Sequence, residues 1–549
     1  MEKRLLLAFV LSAAILLAWS VIFPPPQRGE LEPVAPGATE TPAAAVTAVP
    51  TGEPAESSSA VPPEIELPSN EAVGGGVEES IELVNDQIAV TLTNRGAAIS
   101  SYQLKNYEGD EGEPVDLIQT VPLPERALPL QLVTEDGPDT ALYAVERSDD
   151  GVSFRWADGR GNAVEKRIGL ADDGYGLDLE IVATGARAGA AVSLGTGLRN
   201  LSAVERDSRL ALWGEGIMQA DGEVERFKRA KVKAPRVLKP NSVSFVGFEG
   251  AYFLGVLRPE GALTEVRFDP FEYAEGDEKP HRVLRISVVP RDGVLRAEYL
   301  GAPKDYDLLQ AIDQGVEQTL NFGIFGPISV FFLKALRWIY GHVGNYGVAI
   351  ILLTLGIRIL LFPLMHTSTV SMRKMAKIQP KVKEIQARHK KKKADPQARA
   401  KMNQEMMALY KEEGVNPMAG CLPMLVQLPL LWALYQLFLK AIELRHAPFM
   451  LWIVDLSAKD PLYVTPVLMT ATMWLQQRLA PQAGDPQQQR LMRMMPLIFG
   501  IMFLQFPSGL VLYWLTNNVI TIIQQEITLH IVGERKLGGR GARRKDAKK

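Results

Sequence analysis

The sequence ILLTLGIRILLFPL, at residues 351–364, decides the fold of this chain. Together with the apolar residues from about 343 onward, it is long enough to cross the roughly 30 Å hydrocarbon core of a bilayer as a helix. Arg358 interrupts it, and a charge at such a depth costs at least about 2.5 kcal/mol on insertion scales. We therefore expect that Arg358 either faces a hydrated cavity or extends its side chain to the nearer membrane surface.

Further apolar segments predict a polytopic α-helical membrane protein with six transmembrane helices. One precedes the quoted stretch and four follow it; they lie at 5–23, 419–439, 462–478, 494–506 and 509–531. Only Pro507-Ser508-Gly509 separates the last two, which predicts a tight turn between two helices.

The distribution of charge predicts the orientation of these helices. Lys3 and Arg4 place the N-terminus in the cytoplasm, and six crossings then place the C-terminus there too. The basic loop at 365–417, with 13 basic and 5 acidic residues, falls on the same side. The region 24–324, with 50 acidic and 28 basic residues, falls on the other. We expect a multi-pass protein with its large polar region outside the cytoplasm.

The first 78 residues predict an anchor followed by a linker. Residues 1–23 are interpreted as an N-terminal transmembrane anchor; a cleaved signal peptide is the alternative, since Ala18-Trp19-Ser20 resembles a small-residue cleavage site. Residues 24–78 are rich in Pro, Ala, Glu, Ser, Thr and Gly, a composition that buries too little apolar surface to offset the entropy of ordering. We expect a disordered linker there.

Residues 79–324 predict a large all-β sandwich domain. Short runs of alternating polarity recur and are separated by Asp-Gly turn signals. The clearest predicted strands are 88–93, 152–156, 177–182, 243–248 and 284–289. With the single cysteine Cys421, the chain can form no intrachain disulfide, so this domain depends on its apolar core.

The chain continues with a helix at 325–342, a five-helix core at 343–532 and a basic cytoplasmic tail at 533–549. The helix is amphipathic and either lies in the membrane interface or packs against the sandwich. Within the core, 366–416 has apolar residues at helical spacing on both sides of Asp395-Pro396, which predicts an antiparallel helical hairpin in the cytoplasm.

Several residues besides Arg358 could line a cavity in the predicted core. Thr354 lies one helical turn before Arg358, and polar residues recur at near-helical spacing in the last apolar segment. The alternative is that they join helices by hydrogen bonds. The candidate lining residues are Thr354, Arg358, Gln427, Trp514, Asn517, Thr521, Gln524 and Gln525.

Methionine and lysine mark the predicted hairpin. Fifteen of the seventeen methionines fall between 365 and 502, and flexible, polarizable side chains suit a surface that binds varied apolar partners, although they also fill gaps in cores. The run 390–393 and the tail could contact anionic lipid or ribosomal RNA, or could act only on topology. The candidate partner-binding methionines are Met372, Met375, Met402 and Met406.

The sequence disfavours other classes of protein. It has no phosphate-binding Gly-x-x-x-x-Gly-Lys-Ser/Thr loop and no histidine or cysteine spacing typical of a metal site, so we expect no cofactor and no enzyme. Ser508 and His530 would lie roughly 33 Å apart on one helix, too far for catalysis. A transporter usually has internal repeats, and none is visible.

Three stretches resemble the YidC family of membrane protein insertases. They are MMALYKEEGVNPMAGCLPMLVQLPLLWALY at 406–435, ELRHAPFMLWIVDLSAKDPLYVTPVLM at 443–469 and FPSGLVLYWLTNNVITIIQQ at 506–525. The resemblance covers about 325–535, and the order of anchor, β domain and five-helix core is similar to the Gram-negative form. It is too weak over 24–240 to assign any site.

The resemblance implies a protein of the bacterial inner membrane that helps nascent membrane proteins to enter the bilayer. It implies a groove open to the cytoplasm and to lipid with a single arginine, which matches Arg358, and groove positions that match Thr354, Gln427 and Trp514. It also implies cooperation with the Sec translocon and a periplasmic location for the β domain. An acidic flank of an arriving segment would be attracted to the arginine.

Overall fold

The computed structural model describes residues 71–545, apart from 110–111, 121–125, 149, 173, 201–213, 274–280, 313–314, 390–395, 416–421 and 480–485. The predicted anchor at 1–23, most of the predicted linker at 24–78, the lysine run and Cys421 lie outside the described residues.

The N-terminal part of the described chain is mostly β sheet, as predicted. Its twenty described strands are β1 (Ala72–Val73), β2 (Ser80–Val84), β3 (Ile88–Thr93), β4 (Ala98–Glu108), β5 (Pro114–Asp116), β6 (Pro129–Thr134), β7 (Gly137–Pro138), β8 (Ala144–Ser148), β9 (Gly151–Asp158), β10 (Ala163–Leu170), β11 (Gly176–Ala183), β12 (Ala191–Leu194), β13 (Glu215–Ala220), β14 (Glu223–Phe227), β15 (Arg236–Leu238), β16 (Val243–Glu249), β17 (Phe253–Pro259), β18 (Leu263–Tyr273), β19 (His281–Pro290) and β20 (Val294–Pro303).

These strands form three antiparallel sheets. The largest follows the order β1-β9-β10-β11-β20-β17-β16-β13-β14, with β8 also paired to β9. A second sheet has the order β15-β18-β19-β12-β6-β7, and a third has β2-β3-β4-β5. One cluster of buried apolar residues draws on all three sheets. The five strands predicted from alternating polarity are confirmed as β3 and as parts of β9, β11, β16 and β19.

The predicted boundary at residue 79 needs a correction. Ala72 and Val73 pair with Ala157 and Asp158 of β9, so the sheet begins inside the segment that composition assigns to the linker. A two-residue strand between Glu71 and a run of glycines is too short to show an alternation of polarity in the sequence. Backbone pairing to a distant strand, rather than the local sequence, orders it.

A lysine lies at the centre of this β domain. Lys166 of β10 is fully buried, and its Nζ donates hydrogen bonds to the carbonyl oxygens of Gly96, Ala97 and Leu130 at 2.7, 3.0 and 2.6 Å. Gly96 and Ala97 precede β4 and Leu130 belongs to β6, so the side chain joins β10 to two other segments. Burial lowers the pKa of Lys166 to about 7.

The C-terminal part is helical. Its described α-helices are α1 (Tyr306–Ile312), α2 (Gly326–Val343), α3 (Tyr346–Arg388), α4 (Pro396–Glu412), α5 (Leu422–Lys440), α6 (Val464–Leu479), α7 (Pro486–Phe503) and α8 (Ser508–Lys545). Judged by length and composition, α3 is the one helix of the described residues that could cross a membrane, and Arg493–Phe503 is a shorter apolar helix. The six-span arrangement therefore stays a prediction.

Local signals explain where α2 ends and α3 begins. Gly344 adopts a left-handed conformation (φ 66°), and its N–H donates to the carbonyl of Tyr340 at 2.8 Å, which closes α2. Asn345 then caps α3 by accepting a hydrogen bond from the N–H of Val348 at 3.0 Å. α3 does not end at the predicted boundary near 365 but continues through Pro363 and Pro380 into the predicted hairpin.

The predicted interfacial helix corresponds to α2. Its buried side chains Phe332, Leu333 and Leu336 belong to the apolar cluster of the helical part, together with residues of α5. Phe331 and Trp338 on its other face are exposed. The described contacts of its apolar residues are therefore with the other helices rather than with the sandwich.

Arg337 of α2 joins the β domain to the helices. Its Nη2 lies 2.6 Å from Asp305 Oδ2, its Nη1 donates to Asp307, and its Nε lies 2.6 Å from Glu443 Oε1. The two aspartates follow the last strand, whereas Glu443 follows α5. Next to this cluster, Ile442 packs into the apolar core of the β domain.

Replacing Arg337 with Leu should destabilise this connection. Glu443, whose side chain is only 9% exposed, would lose its cation, and the unfolding free energy should fall by about 3 kcal/mol. Hydrogen exchange of the full-length protein in detergent would detect this destabilisation as faster exchange of backbone amides in peptides that contain Ile442. Arg388→Leu, which removes an exposed pair with Glu384, is the matched control and should leave the exchange of these peptides unchanged, because water screens exposed pairs. Equal effects of the two substitutions would contradict the role of Arg337.

The pKa of Lys166 predicts a pH dependence. The unfolded chain keeps the lysine protonated up to about pH 10.4, whereas the folded domain keeps it protonated only up to about pH 7. Between these values the unfolded state binds more protons, so the free energy of unfolding should rise with pH; below pH 7 both states are protonated and the slope disappears. The free energy of unfolding is measured in the full chain from hydrogen exchange of the β10 amides, after correction for the pH dependence of exchange in unstructured peptides. Lys166→Met should lack the rise, and a flat wild-type profile would contradict the assignment.

Candidate functional site

A cavity of about 500 Å³ lies among α3, α5, α6, α7 and α8. On α3 its lining runs from Arg358 to Met372, and on α8 from Trp514 to Thr528, about 21 Å along each helix axis. The cavity therefore occupies the end of the helices that leads into α4. The earlier turns of α3 and α8 contribute packed apolar residues to the core of the helical part instead.

The opposite end of the helices is closed by a loop. Ser508, at the start of α8, donates hydrogen bonds to the carbonyl of Ala458 from its N–H at 2.7 Å and its hydroxyl at 2.8 Å. Asp460 of the same loop accepts hydrogen bonds from the N–H and the hydroxyl of Thr465, both at 2.7 Å, at the start of α6. These bonds tie both helices to one loop, and apolar side chains pack between the helices at this end.

Arg358 and Asn517 form the polar centre of the cavity. Arg358 is only 3% exposed, and both its Nε (2.7 Å) and its Nη2 donate to Oδ1 of Asn517. Its Nη1 is buried and has no hydrogen-bond partner among the described residues. One edge of the guanidinium is therefore held by an uncharged amide, and a donor remains at the other edge.

Glutamines continue the polar side toward the open end. Gln524 donates to the backbone carbonyl of Arg358 at 3.1 Å, which joins α8 to α3 a second time. The side-chain oxygens of Gln524 and Gln525 are buried and accept no hydrogen bond from any described residue. Buried polar atoms without partners are costly, so we expect water or a polar ligand beside them.

The rest of the lining is mixed. His366 lies 3.1 Å from the hydroxyl of Thr528, so a further polar contact joins α3 and α8 near the open end. No Asp or Glu occurs among the residues that the structure places in the lining. The apolar wall consists of Phe362, Met365, Met372, Leu428, Leu431, Met473, Phe499 and Trp514.

The structure brings together most, but not all, of the predicted cavity residues. Seven of the eight line the cavity, namely Arg358, Gln427, Trp514, Asn517, Thr521, Gln524 and Gln525. Thr354 does not. Its hydroxyl donates to the carbonyl of Ile350, four residues earlier, at 2.7 Å, and its side chain is buried between helices. Helical spacing put Thr354 on the face of Arg358, but a threonine satisfies its hydroxyl on its own helix.

Of the four methionines predicted to bind partners, one lines the cavity and three do not. Met372 lines the cavity, whereas Met375, Met402 and Met406 are half-buried on α3 and α4, outside it. Lys381 of α3 forms an ion pair at 2.5 Å with Glu413, the residue that follows α4.

Sequence reasoning missed several polar residues of the lining. They are His366, Ser368, Thr369, Gln476, Asn518 and Thr528. Thr528 continues the helical spacing of Asn517, Thr521 and Gln524, so extending that pattern by one turn finds it. His366, Ser368 and Thr369 of α3 follow the apolar segment that ends at residue 364. Polar residues are common there, so their presence does not indicate a cavity.

Comparison with known proteins agrees with this architecture. A family described as "60Kd inner membrane protein" matches residues 338–534, and one described as "YidC periplasmic domain" matches residues 80–338. The chain is 34% identical to the membrane protein insertase YidC of Geotalea daltonii over 96% of this chain and 98% of the relative. It is 36% identical to that of Syntrophus aciditrophicus over 96% and 99%.

Among solved structures, the chain is similar to an active YidC insertase with its first transmembrane domain resolved. The sequence identity is 20%, the match covers 84% of this chain and 94% of the other, and the TM-score is 0.35.

The matched segments define an inner-membrane protein with a periplasmic domain that is mostly β sheet. The chain belongs to the YidC family of membrane protein insertases. These two relatives are named as insertases and not as enzymes, which agrees with the expectation that the protein is not an enzyme.

A hydrated cavity predicts a pattern of thiol reactivity. In a Cys421→Ser background, a cysteine in place of Gln525 should react with a water-soluble maleimide, because thiolates form in water and not in hydrocarbon. A cysteine in place of Leu360, which is 80% exposed on the apolar face of α3, is the matched control and should react at least about tenfold more slowly in membranes. Equal rates at the two positions would contradict a hydrated cavity.

Proposed function

We propose that this protein inserts integral membrane proteins into the inner membrane and helps them to fold, alone or with the Sec translocon. Clients would pass through the cavity around Arg358, open to the cytoplasm and to lipid, without nucleotide hydrolysis. The observation that carries the proposal is a buried arginine whose only described side-chain partner is an amide, in a cavity whose described lining contains no acidic residue.

The first step is electrostatic. A client segment with an acidic or polar flank reaches the open end and is attracted to the uncompensated charge of Arg358. The attraction is stronger than in bulk water, because the surrounding helices lower the local dielectric constant. The free Nη1 donor gives the flank a hydrogen-bond partner, so part of its lost hydration is replaced.

The second step is transfer of the apolar part of the client to lipid. Leu428 of α5 lines the cavity and is also exposed at the surface. On α8, the exposed Ile523 directly precedes the lining residues Gln524 and Gln525. Flexible methionines in the wall adapt to side chains of different shape. An apolar segment can then leave along the helices without crossing a polar barrier.

The topology is part of the proposal. Six transmembrane helices, with both termini in the cytoplasm, put α4 and the open end of the cavity in the cytoplasm and the β domain in the periplasm. The excess of basic residues at 365–417 supports this orientation. Met372, Met375, Met402 and Met406 would then meet clients as they arrive.

Several partners belong to the proposal as well. The lysine run at 390–393 and the tail at 533–549 would contact anionic lipid or the phosphates of ribosomal RNA. Cooperation with the Sec translocon rests on the family resemblance alone.

Insertion without other proteins is tested with purified protein in liposomes. A single-span client is synthesised on ribosomes without Sec components, and its protease-protected fragment is measured. Protection that depends on the protein supports autonomous insertion. Protection no greater than in empty liposomes would contradict it and leave a chaperone that acts beside the translocon.

The charge of Arg358 predicts a selective defect. Arg358→Leu should lower insertion of a client with an acidic flank by about tenfold relative to the same client with a neutral flank, which corresponds to ~1.4 kcal/mol of lost attraction. Arg358→Lys keeps the charge and should keep most of the selectivity. Arg373→Leu, which removes a charge outside the cavity lining, is the control. An equal loss for both clients would indicate a role in folding rather than in charge recognition.

A further inference from the structure

A second concavity lies on the outer side of α6 and α7. It has a volume of about 670 Å³ and a mostly apolar lining, which includes Val467, Ala471 and Trp474 of α6 and Leu497 and Ile501 of α7. We call it the α6/α7 groove. Val467 is 61% and Ile501 is 63% exposed, so the walls of the groove face the surroundings of the protein rather than its interior.

Close packing of the two helices forms the floor of the groove. Gly500 lies against Thr470, and a Cβ atom at position 500 would clash with the hydroxyl oxygen of Thr470. That hydroxyl donates to the carbonyl of Pro466 at 2.7 Å, so the floor presents no free donor. The floor and the walls together are suited to a flexible hydrocarbon chain.

The two ends of the groove differ in charge. Arg493 lines the end that also contains Trp474, and the guanidinium of Arg478 stacks on the Trp474 ring at 3.7 Å. Arg478 and Arg493 lie about 12 and 10 Å along their helices from the contact of Thr470 with Gly500. Both are exposed, and neither forms an ion pair with a described carboxylate. The sequences of α6 and α7 contain no acidic residue at all.

We propose that the α6/α7 groove binds one anionic phospholipid. An acyl chain occupies the apolar part, and the phosphate lies between Arg478 and Arg493. Guanidinium groups pair with phosphate oxygens through two parallel hydrogen bonds, and the stacking of Arg478 on Trp474 holds one of them in place. Two cations at one end favour a headgroup with net negative charge over a zwitterionic one.

This site is separate from the cavity around Arg358. The two have no lining residue in common, and the groove lies on an exposed side of the two helices, which faces lipid in the proposed topology. Binding of a lipid there requires no client and no insertion activity. In the proposed topology the arginine end lies at the cytoplasmic membrane surface, where phosphate groups are present.

Native mass spectrometry of the full-length protein in detergent tests the proposal. Phosphatidylglycerol and phosphatidylcholine with identical acyl chains are titrated separately, and the single-lipid adducts are quantified. Phosphatidylglycerol should bind about tenfold more tightly to the wild type. The double variant Arg478→Gln/Arg493→Gln should bind the two lipids equally. Ala471→Phe, which fills the groove from an exposed position, should weaken both lipids about tenfold.

A charge-matched control distinguishes binding at the groove from general attraction of anionic lipid to a basic protein. Arg373→Gln/Lys374→Gln removes two basic residues of α3 outside the groove and should leave the preference unchanged. An equal loss in this control would show diffuse attraction to net charge and would overturn the proposal. Retention of the tenfold preference by the Arg478→Gln/Arg493→Gln variant would also overturn it, whether or not Ala471→Phe can be purified.

Discussion

The hydrogen bonds from Arg358 to Asn517 are the interaction on which the helical part of this structure depends. They join α3 to α8 within the apolar stretch of α3, and Gln524, about two turns after Asn517 on α8, donates to the backbone carbonyl of Arg358 itself. Asn517 satisfies only one edge of the guanidinium. The buried Nη1 therefore requires water, and helices that packed tightly around it would leave a donor unpaired. The cavity follows from this requirement.

The closed end of the helices makes the cavity asymmetric. There, apolar side chains of α2, α3, α5 and α8 pack together, and the loop before α6 fixes the starts of two helices by hydrogen bonds to Asp460 and from Ser508. The β domain is attached at this same end, through Arg337 and through Ile442 in its core. These contacts between the β domain and the helices, through Arg337 and Ile442, therefore lie on the side opposite the Arg358 cavity.

The sequence predicted the features that a charge or a periodic pattern reveals locally. Arg358 is conspicuous in an apolar stretch, and the polar stripe on α8 follows from helical spacing, so both were found. Thr354 is not among the residues that line the cavity, because the spacing of residues fixes the face of a helix but not the hydrogen bond of a hydroxyl. The strand at Ala72–Val73 and the order of the three sheets were not predictable, because pairing between distant segments leaves no local pattern.

Two arginines of this chain show how partners decide the use of a charge. Arg337 pairs with three carboxylates, from Asp305, Asp307 and Glu443, so its charge is compensated and its effect is to hold two parts of the protein together. Arg358 is more deeply buried but has an amide where Arg337 has acids. A carboxylate in place of Asn517 would hold Arg358 more strongly and cancel its field. An amide fixes the orientation of the guanidinium and leaves its charge available to whatever enters the cavity.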